Sequence, residues 1–310
     1  GGDDAVVPNA LAAPPRDAWA GTAVPAALMT VGSSAMYVVS VVLPAVQAEF
    51  GVARADASLP YTLLMVGFGL GGVLMGKLAD RFGVMVPVLI GAAGLASGFA
   101  LAAQSSSILG FAVVSGLLLG LLGSSATFAP LVADTSLWFV RRRGIAVAIC
   151  ASGNYLAGAV WPPIVQPLIA TYGWRFTYLV LAVVSAVLLP LLALRLRQPA
   201  PAVLPLPPRA GAPVPGERPF GLSTNAATRL LVIAGIACCV AMSMPQVHIV
   251  AYCTDLGYGP AAGATMLSLM LGFGIVSRLV SGAICDLIGG LRTLLLGSVL
   301  QGLALLLFVP

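Results

Sequence analysis

Along the chain, apolar positions gather into long runs that are hydrophobic on every face, separated by brief clusters of charge, glycine or proline. A run such as residues 181–194 shows neither the alternation of a barrel strand nor the single apolar stripe of a helix at a water boundary. A helix needs about 20 apolar residues to cross a hydrocarbon core of about 30 Å, and the runs reach that length. They predict helices over residues 23–46, 58–78, 84–103, 108–134, 144–170 and 176–194, then three more over 229–251, 260–284 and 291–309. Between the two groups, residues 198–223 carry Pro199, Pro201, Pro205, Pro207, Pro208, Pro213, Pro215 and Pro219, a composition that holds an extended linker and no helix. The expected organisation is a tail (1–22), a six-helix bundle (23–197), a linker (198–228) and a partial second bundle of about three helices (229–310).

Composition agrees with this pattern. Of 310 residues 59% are apolar and 8% charged, whereas soluble domains average about 45–50% and about 25%. Both a soluble globule and a disordered chain are excluded, and the class is an all-α polytopic membrane protein whose solvent is the lipid bilayer. The chain opens Gly1-Gly2-Asp3-Asp4 and stops at Pro310 directly after an apolar run, and both ends read as cuts. The segment before Trp19 is Pro/Ala-rich, so no cleavable signal is expected.

The basic residues set an orientation. With the N-terminus cytoplasmic, the inner side receives Arg16, Lys77, Arg81, Arg141, Arg142, Arg143, Arg195, Arg197, Arg209, Arg218, Arg229 and Arg292, and the outer side receives Arg54 and Arg175. The net charge of +5 is therefore a topology signal, and a nucleic-acid partner is not expected. One basic residue, Arg278, falls inside a span.

The five cysteines, Cys150, Cys238, Cys239, Cys253 and Cys285, have no metal-ligand spacing and read as small core residues. No metal, cofactor or catalytic constellation is expected. Gly67-Phe68-Gly69-Leu70-Gly71-Gly72 has the glycines of a dinucleotide loop but lies within an apolar span. Gly67, Gly71, Gly153, Ala157 and Gly158 instead read as places where helices approach closely.

One internal repeat is visible. Gly76, Asp80 and Gly83 recur as Gly282, Asp286 and Gly289 at a constant offset of 206, each set in a loop after the second helix of its group. The stretch Gly76-Lys77-Leu78-Ala79-Asp80-Arg81-Phe82-Gly83 resembles the loop signature of the major facilitator superfamily. That resemblance implies a six-plus-six fold, about nine of whose twelve helices are present here, and transport by alternating access. A narrower resemblance, to the monocarboxylate porter and oxalate/formate antiporter-like branch, lies in Trp138-Phe139-Val140-Arg141-Arg142-Arg143-Gly144 and the small residues that follow to Gly153. Asp17-Ala18-Trp19 echoes the acidic motif that precedes helix one in that branch.

The branch resemblance implies roles. Arg278 matches the helix-eight arginine that binds a substrate carboxylate, a task suited to a planar fork of donors; the plain alternative is an arginine snorkelling to the inner surface. Tyr37 matches a tyrosine on the substrate path, while Asn154 and Tyr155 are polar groups in helix five; each could contact substrate or join two helices. Asp80 and Asp286, with Gly76, Arg81, Gly83, Arg141 and Arg142, are the expected gating group. Asp134 is expected to pair with Arg141 or Arg142, His248 is an interfacial or switching histidine, and Gln166, Gln246 and Gln301 are polar groups without a pattern. Two departures weigh against lactate-type proton symport: Gly274 stands where the proton-linked carriers have an aspartate, and Val41 where they have a lysine. The expected function is secondary transport of a small monocarboxylate or similar organic anion across the plasma membrane, a bacterial inner membrane being the expected setting, with or without protons. Anion exchange, efflux of another solute and a non-transporting sensor remain alternatives, and a monomer satisfies the reading.

Overall fold

A computed structural model of the chain describes residues 22–139, 142–196 and 222–308. Residues 1–21 of the expected tail and 197–221, which include most of the expected linker, lie outside these residues, as do Val140 and Arg141. Among the described residues nine helices are long and apolar enough to cross a membrane. They are α1 (Ala23–Phe50), α2 (Ala55–Phe82), α3 (Met85–Ala103), α4 (Ile108–Trp138), α5 (Arg143–Tyr172), α6 (Trp174–Leu196), α7 (Thr224–Asp255), α8 (Gly259–Ile288) and α9 (Gly290–Phe308). The nine expected helices are present among the described residues and form an all-α polytopic fold.

Several boundaries differ from expectation for identifiable reasons. The first helix is two pieces, Ala23–Gly32 and Ser34–Phe50, joined at Ser33. Helix α4 carries a π-helical segment, Ser115–Ser124, rich in glycine and pressed against α2. Helix α7 begins at Thr224, inside the expected linker, whereas the course of α5 through Pro162, Pro163 and Pro167 and of α7 through Pro245 agrees with the expected spans. The repeated Gly-x3-Asp-x2-Gly element, expected as a loop, is the last turn of a helix with its stop signal. Gly83 (φ 83°) and Gly289 (φ 87°) take a backbone conformation that costs other residues more, and each donates its N–H to the carbonyl four residues back.

The helices alternate in direction, so the N-terminal ends of α1, α3, α5, α7 and α9 share one end of the molecule with Asp80 and Asp286, here termed the motif end. Lys77, Arg81, Arg142, Arg143, Arg195, Arg229 and Arg292 lie there too, and Arg54 and Arg175 at the far end. In the first bundle α2 packs on α4, α3 on α6 and α4, and α1 on α5. Small residues permit the contacts: a Cβ on Gly67 would lie 2.1 Å from the Gly116 carbonyl oxygen, and one on Gly153 2.3 Å from that of Ala26. Near the far end Phe111, Trp174, Tyr178 and Phe99 stack edge to face, and Arg175 fastens three elements by donating to Glu49 and to the carbonyls of Ala103 and Ser105.

The two bundles meet chiefly along α5 and α8. Cys150 and Cys253 are buried as expected, Cys285 is half-buried, and Cys238 and Cys239 on α7 are exposed, contrary to the expectation of core positions.

Candidate functional site: the α5–α8 seam

Helices α5 and α8 run antiparallel, so steps of three or four residues along one meet steps of three or four back along the other. At the motif end a Cβ on Gly144 would lie 2.5 Å from the Gly282 carbonyl oxygen, and only glycine at both positions permits this approach. Gly282 is four residues before Asp286 and shares its face of α8. The close approach brings the Asp286 carboxylate to the first turn of α5, where it accepts hydrogen bonds from the N–H groups of Gly144 (2.8 Å) and Ile145 (3.0 Å). A carboxylate at the positive end of a helix satisfies donors that have no partner within that helix.

Two turns further in, Arg278 crosses the seam. Its Nη1 donates to the Ala151 carbonyl of α5 at 2.9 Å, and its guanidinium carbon lies 4.2 Å from the centre of the Tyr155 ring. A charge within a span costs several kcal/mol unless compensated, and the ring face and the carbonyl both supply compensation. Among the described residues no carboxylate lies within ion-pair distance of Arg278; the ion pair present there is Arg175–Glu49, at 2.7 Å. One turn before Arg278, Gly274 faces the Tyr155 ring, and a Cβ there would stand 3.6 Å from it, in ordinary contact. The Tyr155 hydroxyl is turned away and donates to Met242 Sδ of α7 at 3.3 Å.

Next along the seam Gly158 meets Leu271 and the Tyr37 ring, and Tyr155 packs against the same cluster. The Tyr37 hydroxyl donates to Asn154 Oδ1 at 2.6 Å, and Asn154 Nδ2 donates to Ser33 Oγ at 3.2 Å. These buried groups satisfy one another across α1 and α5, with the break at Ser33 supplying an acceptor. A cavity of about 280 Å³ opens beside Tyr155, lined also by Met242, Gln246, Leu271, Gly274 and Gln301. Gln301 donates to the Cys238 carbonyl.

The seam thus brings together Arg278, Tyr155, Tyr37, Asn154 and Asp286. The other expected residues stand apart from it. Asp80 is exposed, with no hydrogen bond or ion pair among the described residues; Arg81 stacks on Phe82, and Gly76 has open space where a Cβ would sit. Arg142 is exposed just before α5, and Arg141 lies outside the described residues. Asp134 makes no ion pair with Arg142 among the described residues, and Arg141, its other expected partner, lies outside them. Gln166 is half-buried on α5, and the His248 side chain lies outside the described set. No group of three or more His, Cys, Asp or Glu side chains suited to a metal occurs among the described residues.

Sequence reasoning missed the Ala151 carbonyl, Met242 and the Gly144–Gly282 crossing. The first is a backbone atom with no signature. The last had one: the Gly-x3-Asp spacing puts a close-approach position and a helix-capping carboxylate on one face.

Fold and site together define a multi-pass helical membrane protein made of two bundles joined along one seam. The model of the Major Facilitator Superfamily matches residues 25–310, and the chain belongs to that family. Within it the chain is monocarboxylate transporter-like: it is 30% identical over 209 residues to monocarboxylate transporter 11 of Homo sapiens, covering 67% of this chain and 44% of that protein. To monocarboxylate transporter 13 of Bos taurus it is 31% identical over 233 residues, 74% of this chain and 53% of the other. The agnestins efflux protein of Paecilomyces divaricatus is 25% identical over 230 residues, 74% of this chain and 51% of that one. The chain spans about half the length of these curated relatives.

Proposed function

We propose that this chain forms part of a secondary carrier that moves a small monocarboxylate or similar organic anion by alternating access, with its motif end in the cytoplasm of a plasma membrane. The observation that carries the reading is Arg278, a cation inside a span with one donor engaged and no carboxylate beside it among the described residues. A guanidinium keeps its charge under all physiological conditions and can present paired N–H donors to both oxygens of a carboxylate. Tyr37 and Asn154 form the adjoining wall of the substrate path. Asp286 and its capped helix act as the inner latch, with Asp80 its counterpart in the first bundle. The names of the relatives, monocarboxylate transporters 11 and 13, support this substrate class.

Anion exchange is a second reading, favoured by the placement of acidic residues. In the described helices Glu49, Asp56, Asp80, Asp134, Asp255 and Asp286 all lie within about two turns of a helix end, and Gly274 leaves Arg278 without a titratable neighbour one turn away. The test is uptake of labelled pyruvate and related carboxylates by the full-length protein in proteoliposomes. An inward proton gradient drives uptake by a symporter, and only vesicles preloaded with counter-substrate support an exchanger. Absence of flux in both formats removes the carboxylate reading.

A further inference from the structure

Arg278 has two claims on it. The proposed function assigns it to a substrate carboxylate, yet among the described residues it is also the one charged side chain that bridges the two bundles midway along the seam, through the Ala151 carbonyl and the Tyr155 ring of α5. Both partners belong to the first bundle, whereas Arg278 belongs to the second. The phenol oxygen of Tyr155 points elsewhere, to Met242, so the ring face is what Arg278 meets.

We propose that Tyr155 is a positioning residue whose ring, with the Ala151 carbonyl, clasps Arg278 across the α5–α8 seam, so that a carboxylate binding to Arg278 competes with this clasp and loosens the motif end. The inference rests on the anion reading above and adds the coupling step. A charge-assisted hydrogen bond to a carboxylate is stronger than one to a neutral carbonyl, so the anion draws the guanidinium off Ala151. The seam then keeps Asp286 on the first turn of α5 as its remaining polar clasp. Such an arrangement meets the requirement that a ligand shift a two-state equilibrium only through differential contacts: the clasp exists in the closed state, and the carboxylate replaces it in the open one.

The ring-face claim separates two conservative substitutions. Y155F keeps the ring and loses the hydroxyl; Y155L keeps apolar bulk and loses the ring. In the full-length protein, paired spin labels on the motif-end turns of α5 and α8 report the closed and open populations. Without any anion, Y155F is expected to match the wild type, and Y155L to raise the open-to-closed ratio about 2- to 30-fold, the range expected for loss of one cation–π contact. Equal distributions in wild type and Y155L would overturn the clasp, and a shift in Y155F as large as in Y155L would move its origin to the hydroxyl and overturn the ring-face assignment. Added pyruvate is expected to open the wild type and leave R278A unmoved. Pyruvate that binds in an Arg278-dependent way without changing the distances would overturn the competition while leaving the anion site intact. If pyruvate does not bind at all and Y155L still opens, the anion reading fails and the clasp stands.

Discussion

Gly144 and Gly282 cross so closely that each occupies the space the other's side chain would need: a Cβ on Gly144 would lie 2.5 Å from the Gly282 carbonyl oxygen, and one on Gly282 2.8 Å from that of Gly144. The obstacle is backbone on both sides, so neither helix can yield by a rotamer change. G144A is therefore expected to push α5 and α8 apart and cost about 1–3 kcal/mol, read as a lower melting temperature in detergent. G76A, at the first-repeat equivalent of Gly282, the other member of the crossing, has open space and is expected to be neutral or stabilising by up to about 1 kcal/mol. Equal losses in the two variants would mean that the crossing is not what holds the seam.

Asp286 and Asp80 occupy equivalent places in the repeat but have different surroundings, one capping α5 and the other exposed. D286A is expected to remove about 0.5–2 kcal/mol of cap stabilisation and to lower the maximal transport rate more than the apparent affinity. D80A is expected to have the smaller effect on melting temperature. Initial-rate kinetics over a range of substrate concentrations would check the division, and a change confined to apparent affinity in D286A would place that residue in the substrate path instead.

Tyr37 and Asn154 are expected to behave as a pair. Y37F leaves the buried Asn154 oxygen without its donor, a loss of about 1–3 kcal/mol. N154L alone leaves the phenol unpaired and should cost a similar amount, whereas the double variant Y37F/N154L should cost less than the sum of the two. Thermal unfolding of the four proteins gives the coupling directly, and additive losses would show that the bond at 2.6 Å carries no net energy.

Much of this was legible in the sequence because a bilayer imposes simple rules. Continuous apolar runs had to be helices, since only helices and closed barrels satisfy the backbone in lipid, and proline in 198–223 had to separate two groups. Arg278 stood out because a charge within a span is expensive. The boundaries were less legible. Helix α7 begins at Thr224, before the expected 229, because residues 223–228, mostly polar, carry no apolar run to mark the start, whereas α5 and α7 continue through Pro162, Pro163, Pro167 and Pro245 as the expected spans did. The Gly-x3-Asp-x2-Gly element was visible as a repeat but read as a loop, because its final glycine marks a stop without showing how far the helix has already run. Partners were the least legible: that Tyr37 meets Asn154, or that Arg278 meets Tyr155 and a backbone carbonyl, depends on the α1–α5 and α5–α8 registers, which apolar periodicity does not encode.

The central claim is that Arg278 binds the carboxylate of the transported anion. The most direct measurement compares apparent affinity for pyruvate in proteoliposomes holding the wild type, R278K and R278A. The account predicts affinity reduced at least about tenfold in R278K, whose single ammonium cannot present two aligned donors, and no saturable uptake in R278A. Unchanged apparent affinity in both variants, with protein normally folded, would contradict it.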